Sequence, residues 1–276
     1  MPYQKKRFLS YTTVFLCFLV AYICRLIDTD NDLLHALLDQ SRTSIYLGLY
    51  CAWVTYLNKH IVYKKMRQCL TAIGCLMVFW FFLRTIKYHV FQDPLSIHIC
   101  WYLYYLPMIL IPTLGLNAAL LLEEKENAKI KKRHILLLLF AAVLIIGVFT
   151  NDLHNLVFSF PSGYQSSESD CVHHVLYYVT MAWFILLGIY FVVMLIKKSR
   201  VPGSKHFQKL PAVILCISIV FWVLYCLHIV GGDLAAIDCI MIIALLESAI
   251  QSGLIPSKTN YNALFRSSTA SAQIVD

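Results

Sequence analysis

Apolar stretches long enough to cross a bilayer recur along nearly the whole chain, and this feature restricts the fold most. A hydrocarbon core of roughly 30 Å is crossed by about 20 mainly apolar helical residues. Backbone polar groups in lipid must be paired within the protein, so such segments are expected to be helical. With 59% hydrophobic and 14% charged residues among 276, little of the chain is left for a water-soluble domain. We therefore predict an all-α fold, a polytopic membrane helical bundle.

The pattern of hydropathy predicts about eight spans. We place them at residues 8–27, 44–57, 69–90, 99–122, 135–158, 175–196, 210–230 and 239–255. The second is the shortest of them. The first follows Lys5, Lys6 and Arg7 and has no small-residue cleavage site after it, so we interpret it as an uncleaved anchor rather than a signal peptide.

Basic residues are distributed unevenly between alternate connections. One set of connections, which includes both termini, holds 19 Lys and Arg residues, whereas only Arg25, Arg42, Arg84 and Lys87 remain on the other side. The positive-inside rule assigns the richer set to the cytoplasm. We therefore predict a multi-pass protein of the plasma membrane with both termini cytoplasmic. Most acidic residues, Asp238 among them, then fall outside.

These loops account for the net charge of +8, so we predict no nucleic-acid partner. The sequence lacks the H-E-x-x-H, G-x-x-x-x-G-K, G-x-S-x-G and C-x-x-C patterns, and we predict no catalytic residues, no cofactor and no metal. Cys100 and Cys171 both lie in the predicted outer part of the chain. A disulfide between them stays open, because a sequence does not give their separation.

A polar run ends the fifth predicted span. It contains Asn151, Asp152 and His154, followed by Asn155. Polar groups at this depth need partners or water, so these side chains are expected to face the bundle interior or an outward-opening cavity. A ligand or proton site is one interpretation, and a metal site is a weaker one. A helix end whose side chains reach water at the interface is the simpler alternative.

Aromatic residues gather at the outer ends of the fourth and sixth predicted spans. An interfacial aromatic belt is the ordinary explanation. Together with the polar run they can instead line an apolar pocket with a few orienting polar groups. We hypothesise an outward-opening cavity among the fourth, fifth and sixth spans. The candidate ligand-binding residues are Trp101, Tyr105, Asn151, Asp152, His154, Tyr177, Tyr178 and Trp183.

Three polar residues lie nearer the predicted cytoplasmic side. Asn117 belongs to the fourth span, and Glu247 and Gln251 lie one helical turn apart in the eighth. A carboxylate deep in a span must be paired or protonated. The structural interpretation is an interhelical hydrogen bond, and the functional one is a relay that transmits a signal. Proton translocation is a third alternative.

Four segments resemble the seven-span amino-terminal sensor domain of bacterial histidine kinases of the clostridial type. The resemblance covers about the last seven spans, and the first span is then an added anchor. The matching segments are WYLYYLPMILIP (101–112), TNDLHNLVFSF (150–160), YYVTMAW (177–183) and ESAIQSGLIPSKTNYNALF (247–265), followed by Arg266, Ser267 and Ser268.

The resemblance implies three segments and a sensing function. Residues 1–42 form an anchor span with its outer connection, residues 43–256 the seven-span sensor domain, and residues 257–276 a cytoplasmic tail. The tail resembles the start of a PAS-like or kinase-linker segment. Its 20 residues are too few for a kinase core. We therefore expect a truncated or split sensor without enzyme activity in this chain.

The predicted function is a membrane sensor of a two-component system. An extracellular small molecule or a membrane stimulus is detected and relayed to a cytoplasmic kinase or output module. The predicted partners are therefore the lipid bilayer, the stimulus and that module, and the resemblance favours a homodimer. A proton-coupled small-molecule transporter, an intramembrane enzyme and a non-functional fragment are the alternatives.

Overall fold

The computed structural model describes residues 2–27, 32–91, 93–122, 131–161, 163, 171–198, 209–227, 229–230 and 234–258. Nearly all of these residues are helical, which confirms the all-α prediction. The helices are α1 (Pro2–Leu26), α2 (Asp32–His60), α3 (Lys64–His89), α4 (Pro94–Leu121), α5 (Lys132–Phe149), α6 (Asn151–His154), α7 (Val175–Lys198), α8 (Leu210–Cys226) and α9 (Leu234–Gln251).

The chain divides into two compact units, Met1–Thr55 and Tyr56–Asp276. In the first unit, the rings of Phe18 in α1 and Tyr46 in α2 lie 6.0 Å apart between centroids. Arg42, which is buried, forms an ion pair of 2.7 Å with Asp39. Aromatic contacts and a local ion pair therefore order this unit internally.

Helix α4 is the centre of the second unit. It packs against α3, α5 and α7, while α9 packs against α8 and α3. The first turn of α4 is fixed by Asp93, whose carboxylate accepts a hydrogen bond of 2.8 Å from the backbone N–H of Ser96. Hydrogen bonding by Ser96 also lowers the pKa of Asp93. Because α4 is surrounded, it is apolar on nearly all sides.

Among the described residues, five helices are long and apolar enough to cross a membrane, namely α3, α4, α5, α7 and α9. Two shorter apolar helical stretches are Thr12–Leu26 and Leu210–Tyr225. The second predicted span lies within α2, which is longer than expected and carries Asp39 and Arg42. A polytopic bundle is confirmed, whereas the number of eight spans stays a prediction.

The predicted fifth span is too long by about two turns. Helix α5 ends at Phe149, the single turn α6 follows, and Asn155 adopts a left-handed conformation with φ 49°. A left-handed residue ends a helix because the next N–H turns away from the helical ladder. The chain then forms strand β1 (Phe158–Ser159), which pairs antiparallel with β2 (Val172–His173). The connection between the fifth and sixth predicted spans, residues 159–174, therefore begins and ends in short strands that pair with each other.

Helix α9 lies about one turn earlier than the predicted eighth span. Its bounds, Leu234–Gln251, place Asp238 inside the helix, where the side chain is buried. The prediction that Asp238 lies in an outer connection is therefore wrong. After α9, residues 252–257 remain buried, and Ser257 forms an isolated antiparallel bridge with Ile61. Of the predicted tail, residues 259–276 lie outside the described residues.

Candidate functional site

Phe158 is the centre of an aromatic cluster between α4, α5 and the hairpin. Its side chain is fully buried. Its ring lies 5.4 Å from Tyr102 and 5.6 Å from Tyr105, with Tyr105 nearly parallel to it. Trp101 and Phe160 lie 6.2 Å and 5.9 Å away. These distances are those of favourable aromatic pairs. Aromatic rings thus pack together in the region where the sequence suggested a cavity, and the cavity itself stays a prediction.

Asn151 holds the hairpin in place from α6. Its side chain is buried, and its amide nitrogen donates to the carbonyl oxygen of Phe158 at 2.9 Å. Its amide oxygen accepts from the backbone N–H of Val157, also at 2.9 Å. One side chain therefore satisfies two backbone groups that no helix or strand bond serves. The geometry gives Asn151 a structural task within the predicted site.

Asp152 joins the α6 segment to α4. Its Oδ1 accepts a hydrogen bond from His98 Nε2 at 3.1 Å and a second one from the hydroxyl of Tyr102. The side chain of Asp152 is 54% exposed, and that of His98 is 19% exposed. His98 and Tyr102 were not among the ligand-binding residues predicted from the sequence. Their spacing of one helical turn at the outer end of the fourth span was the available signal.

His154 makes hydrogen bonds within its own segment. Its Nδ1 accepts from the backbone N–H of Leu156 at 3.0 Å, so the proton lies on Nε2. Nε2 then donates to the carbonyl oxygen of Gly147 at 3.0 Å and lies 3.3 Å from the hydroxyl of Thr150. His154 therefore connects the end of α5 to the chain that follows α6.

The aromatic residues of α7 take different positions. Tyr177 stacks on His173 with ring centroids 3.8 Å apart and packs against the aromatic cluster. Trp183 also packs there, and its indole N–H donates to Thr113 of α4 at 3.3 Å. Tyr178 is 63% exposed. Tyr177 and Trp183 are thus brought together with Trp101 and Tyr105, whereas Tyr178 is not.

Two basic residues predicted for the outer side are buried in α3. Lys87 has no exposed surface, and its ammonium nitrogen lies 3.6 Å from the centroid of the Trp101 ring. Arg84 is also buried, 5.5 Å from the centroid of Tyr88. A desolvated cation over an aromatic face is strongly attracted by the ring. Both residues lie within α3, as the third predicted span places them, and their assignment to the outer side stays a prediction.

The candidate relay residues form two separate pairs. Asn117 of α4 accepts a hydrogen bond from His134 Nδ1 of α5 at 2.7 Å, and both side chains are buried. Glu247 accepts a hydrogen bond from Gln251 one turn further along α9. The prediction that Glu247 and Gln251 lie one turn apart on the same face of their helix is confirmed. His134, which the sequence analysis missed, pairs α4 with α5.

Neither Cys100 nor Cys171 forms a disulfide bond in the structure. Cys100 is buried, and Cys171 lies at the start of β2 with its sulfur 3.8 Å from His173 Nε2. The disulfide left open by the sequence is thus not formed in this structure.

Acidification is expected to loosen the hairpin through His173. Burial, and next the neighbouring His174, lower the pKa of His173 from its usual 6.5. The unfolded chain therefore takes up this proton first, and the stability contributed by neutral His173 is lost as the pH falls below about 6.5. The melting temperature is expected to fall between pH 7.5 and 5.5, and His173→Phe, which keeps the ring on Tyr177, to reduce that fall. If the melting temperature of His173→Phe fell between pH 7.5 and 5.5 as much as that of the unaltered chain, this role would be contradicted.

The family model for the N-terminal 7TM region of histidine kinase matches residues 41–253. No curated protein and no solved structure matches the chain. The match includes the aromatic cluster, the Asp152 contacts and the whole of α9. The resemblance noted from the sequence is confirmed. The chain is a multi-pass membrane protein that belongs to the family of N-terminal 7TM regions of histidine kinases.

Proposed function

We propose that the chain detects an extracellular or membrane stimulus and relays it to a cytoplasmic output module of a two-component system. The observation that carries this proposal is the contact of Asp152 with His98 and Tyr102 of α4. A half-exposed carboxylate is accessible to a stimulus from water, and its two partners belong to the most buried helix of the second unit. A change at Asp152 therefore acts on that helix directly.

The path from α4 to α9 is supported by continuous packing. Helix α4 packs against α3, and α3 packs against α9. Glu247 and Gln251 lie in the last turns of α9. A stimulus shifts such a bundle only by its different affinity for two arrangements of it. In this proposal the stimulus changes the aromatic cluster and the Asp152 contacts, and α9 carries the change towards a kinase, within a homodimer whose termini are cytoplasmic.

Removing the charge of Asp152 is expected to change the output of a fused kinase. We would join the full chain to a native histidine kinase core and measure autophosphorylation in membranes. Asp152→Asn and His98→Phe are each expected to shift the basal output by about fivefold or more, the lower range of allosteric coupling. Leu153→Ala is the matched control, because Leu153 is the neighbouring residue and is 85% exposed. An output equal to that of the control in both variants would contradict the proposal.

A proton-coupled transporter is the second candidate function. Glu247 favours it, since Oε2 of this half-buried carboxylate lacks a hydrogen-bond partner among the described residues. A carboxylate in a span is a common proton carrier. Proton uptake by proteoliposomes separates the two functions. A sensor is expected to show no uptake above empty liposomes, and uptake abolished by Glu247→Gln would support the transporter.

A further inference from the structure

A large apolar cavity lies between the middle parts of α3, α4, α7, α8 and α9. The space bounded by its walls is about 780 Å³, and this figure includes the part that is open to the surroundings. Ile73, Phe191 and Ile242 are typical of its walls, and Gly115 widens it on the side of α4. The cavity is separate from the aromatic cluster around Phe158, with which it shares no residue. None of the residues predicted from the sequence as ligand-binding lines it.

Asp238 is the single acidic or basic residue among the described residues that line the cavity. Its side chain is 4% exposed, and its Oδ1 accepts a hydrogen bond from the indole N–H of Trp222 at 3.0 Å. Its Oδ2 is buried and has no hydrogen-bond partner among the described residues. An acidic group left in this state within an apolar wall is costly unless an occupant satisfies it. The cavity thus combines apolar walls with one unsatisfied acceptor.

The residues that line the cavity favour one kind of ligand head group over the others. Basic side chains are absent from the described wall, so an anionic head would meet Asp238 without a compensating charge. The Ser218 hydroxyl, which also lines the cavity, already donates to the carbonyl oxygen of Ile214 at 2.9 Å. A wholly apolar occupant leaves Oδ2 unsatisfied. A primary ammonium group satisfies the charge and donates the missing hydrogen bond at once.

We propose that this cavity binds a single-chain amphiphile with a primary ammonium head, which Asp238 holds while the alkyl chain lies along the apolar walls. Trp222 orients the carboxylate by occupying Oδ1 and leaving Oδ2 for the ligand. The proposal concerns binding, and it stands independently of the sensing function.

The test uses the full chain in phosphatidylcholine nanodiscs and radiolabelled dodecylamine as the probe. Binding to empty nanodiscs is subtracted, because the probe also partitions into lipid. We expect saturable binding that unlabelled dodecylamine displaces and that dodecanoate does not. Absence of saturable binding, or equal displacement by dodecanoate, overturns the proposal.

Two variants assign the binding to the cavity. Asp238→Asn is expected to weaken dodecylamine binding by about tenfold or more, because a charge-assisted hydrogen bond becomes a neutral one. Gly115→Leu is expected to abolish binding by filling the cavity while keeping Asp238. A Cβ at Gly115 would come no closer than 4.0 Å to Phe191, its nearest neighbour, so this position accepts a side chain.

Asp93→Asn is the control, because Asp93 is an exposed carboxylate outside the cavity and asparagine also caps a helix. It is expected to bind dodecylamine as the unaltered chain does. If Asp238→Asn does not fold, the proposal is tested by the binding of dodecylamine to Gly115→Leu and by the competition with dodecanoate. Unchanged affinity in folded Asp238→Asn overturns the role of the carboxylate, and unchanged affinity in Gly115→Leu overturns the location.

Discussion

Replacing Phe158 by alanine is expected to lower the free energy of unfolding by about 3 to 5 kcal/mol. The ring is fully buried and contacts four other aromatic rings, so its removal leaves a cavity that rigid neighbours fill poorly. It also removes the contact between β1 and the amino-terminal half of α4. We expect the variant to lose the order of the hairpin before the apolar helices separate.

Thermal unfolding in detergent micelles measures this effect, with the summed fluorescence of the five tryptophans, Trp101 among them, as the signal. Phe82→Ala is the matched control, because Phe82 lies in α3 with 51% of its surface exposed. A side chain on that surface exchanges contacts with detergent or lipid for similar contacts, so its loss costs little. Equal shifts of the melting temperature in the two variants would contradict the central position of Phe158.

Replacing Asn151 by leucine is expected to cost about 2 to 6 kcal/mol of the free energy of unfolding. Leucine has a similar volume but no polar group, so the N–H of Val157 and the carbonyl oxygen of Phe158 lose their side-chain partner. Each buried backbone group left unsatisfied costs about 1 to 3 kcal/mol. The loss exceeds that of one hydrogen bond because a single side chain serves both groups.

Asn155→Gly is the control for Asn151→Leu. Asn155 is exposed and has a φ of 49°, a conformation that glycine adopts at no steric cost. The melting temperature of Asn155→Gly is expected to stay close to that of the unaltered chain. Asn151 and Phe158 act on the same hairpin. The variant that carries both Asn151→Leu and Phe158→Ala is therefore expected to lose less stability than the two single variants lose in sum. Full additivity would show that the two side chains act independently.

The helices of this protein follow from hydropathy, because lipid requires long apolar segments with internally paired backbone groups. The family followed from short motifs around Trp101, Asn151 and Glu247, which the family match confirms. Among the candidate ligand-binding residues, Trp101, Tyr105, Tyr177 and Trp183 do gather in one cluster. Their proximity was predictable because outer helix ends meet at the same level of a bundle.

The remaining features depend on contacts between residues far apart in sequence. His98 and Asp152 are 54 positions apart, and no local pattern joins them. The end of α5 at Phe149 was missed because the apolar run continues through Leu156, Val157 and Phe158, which are buried or half-exposed without being helical. Hydropathy reports transfer from water, and it does not distinguish a helix from a hairpin under aromatic rings.

The bridge between Ser257 and Ile61 limits how α9 can move. It joins the chain after α9 to the turn after α2, and both residues are buried. Sliding α9 along its axis, or turning it about that axis, would pull on this bridge through only five intervening residues. The bridge therefore restrains α9. A small displacement of α9 would move the chain around Ile61 with it, and a large one would require the bridge to break.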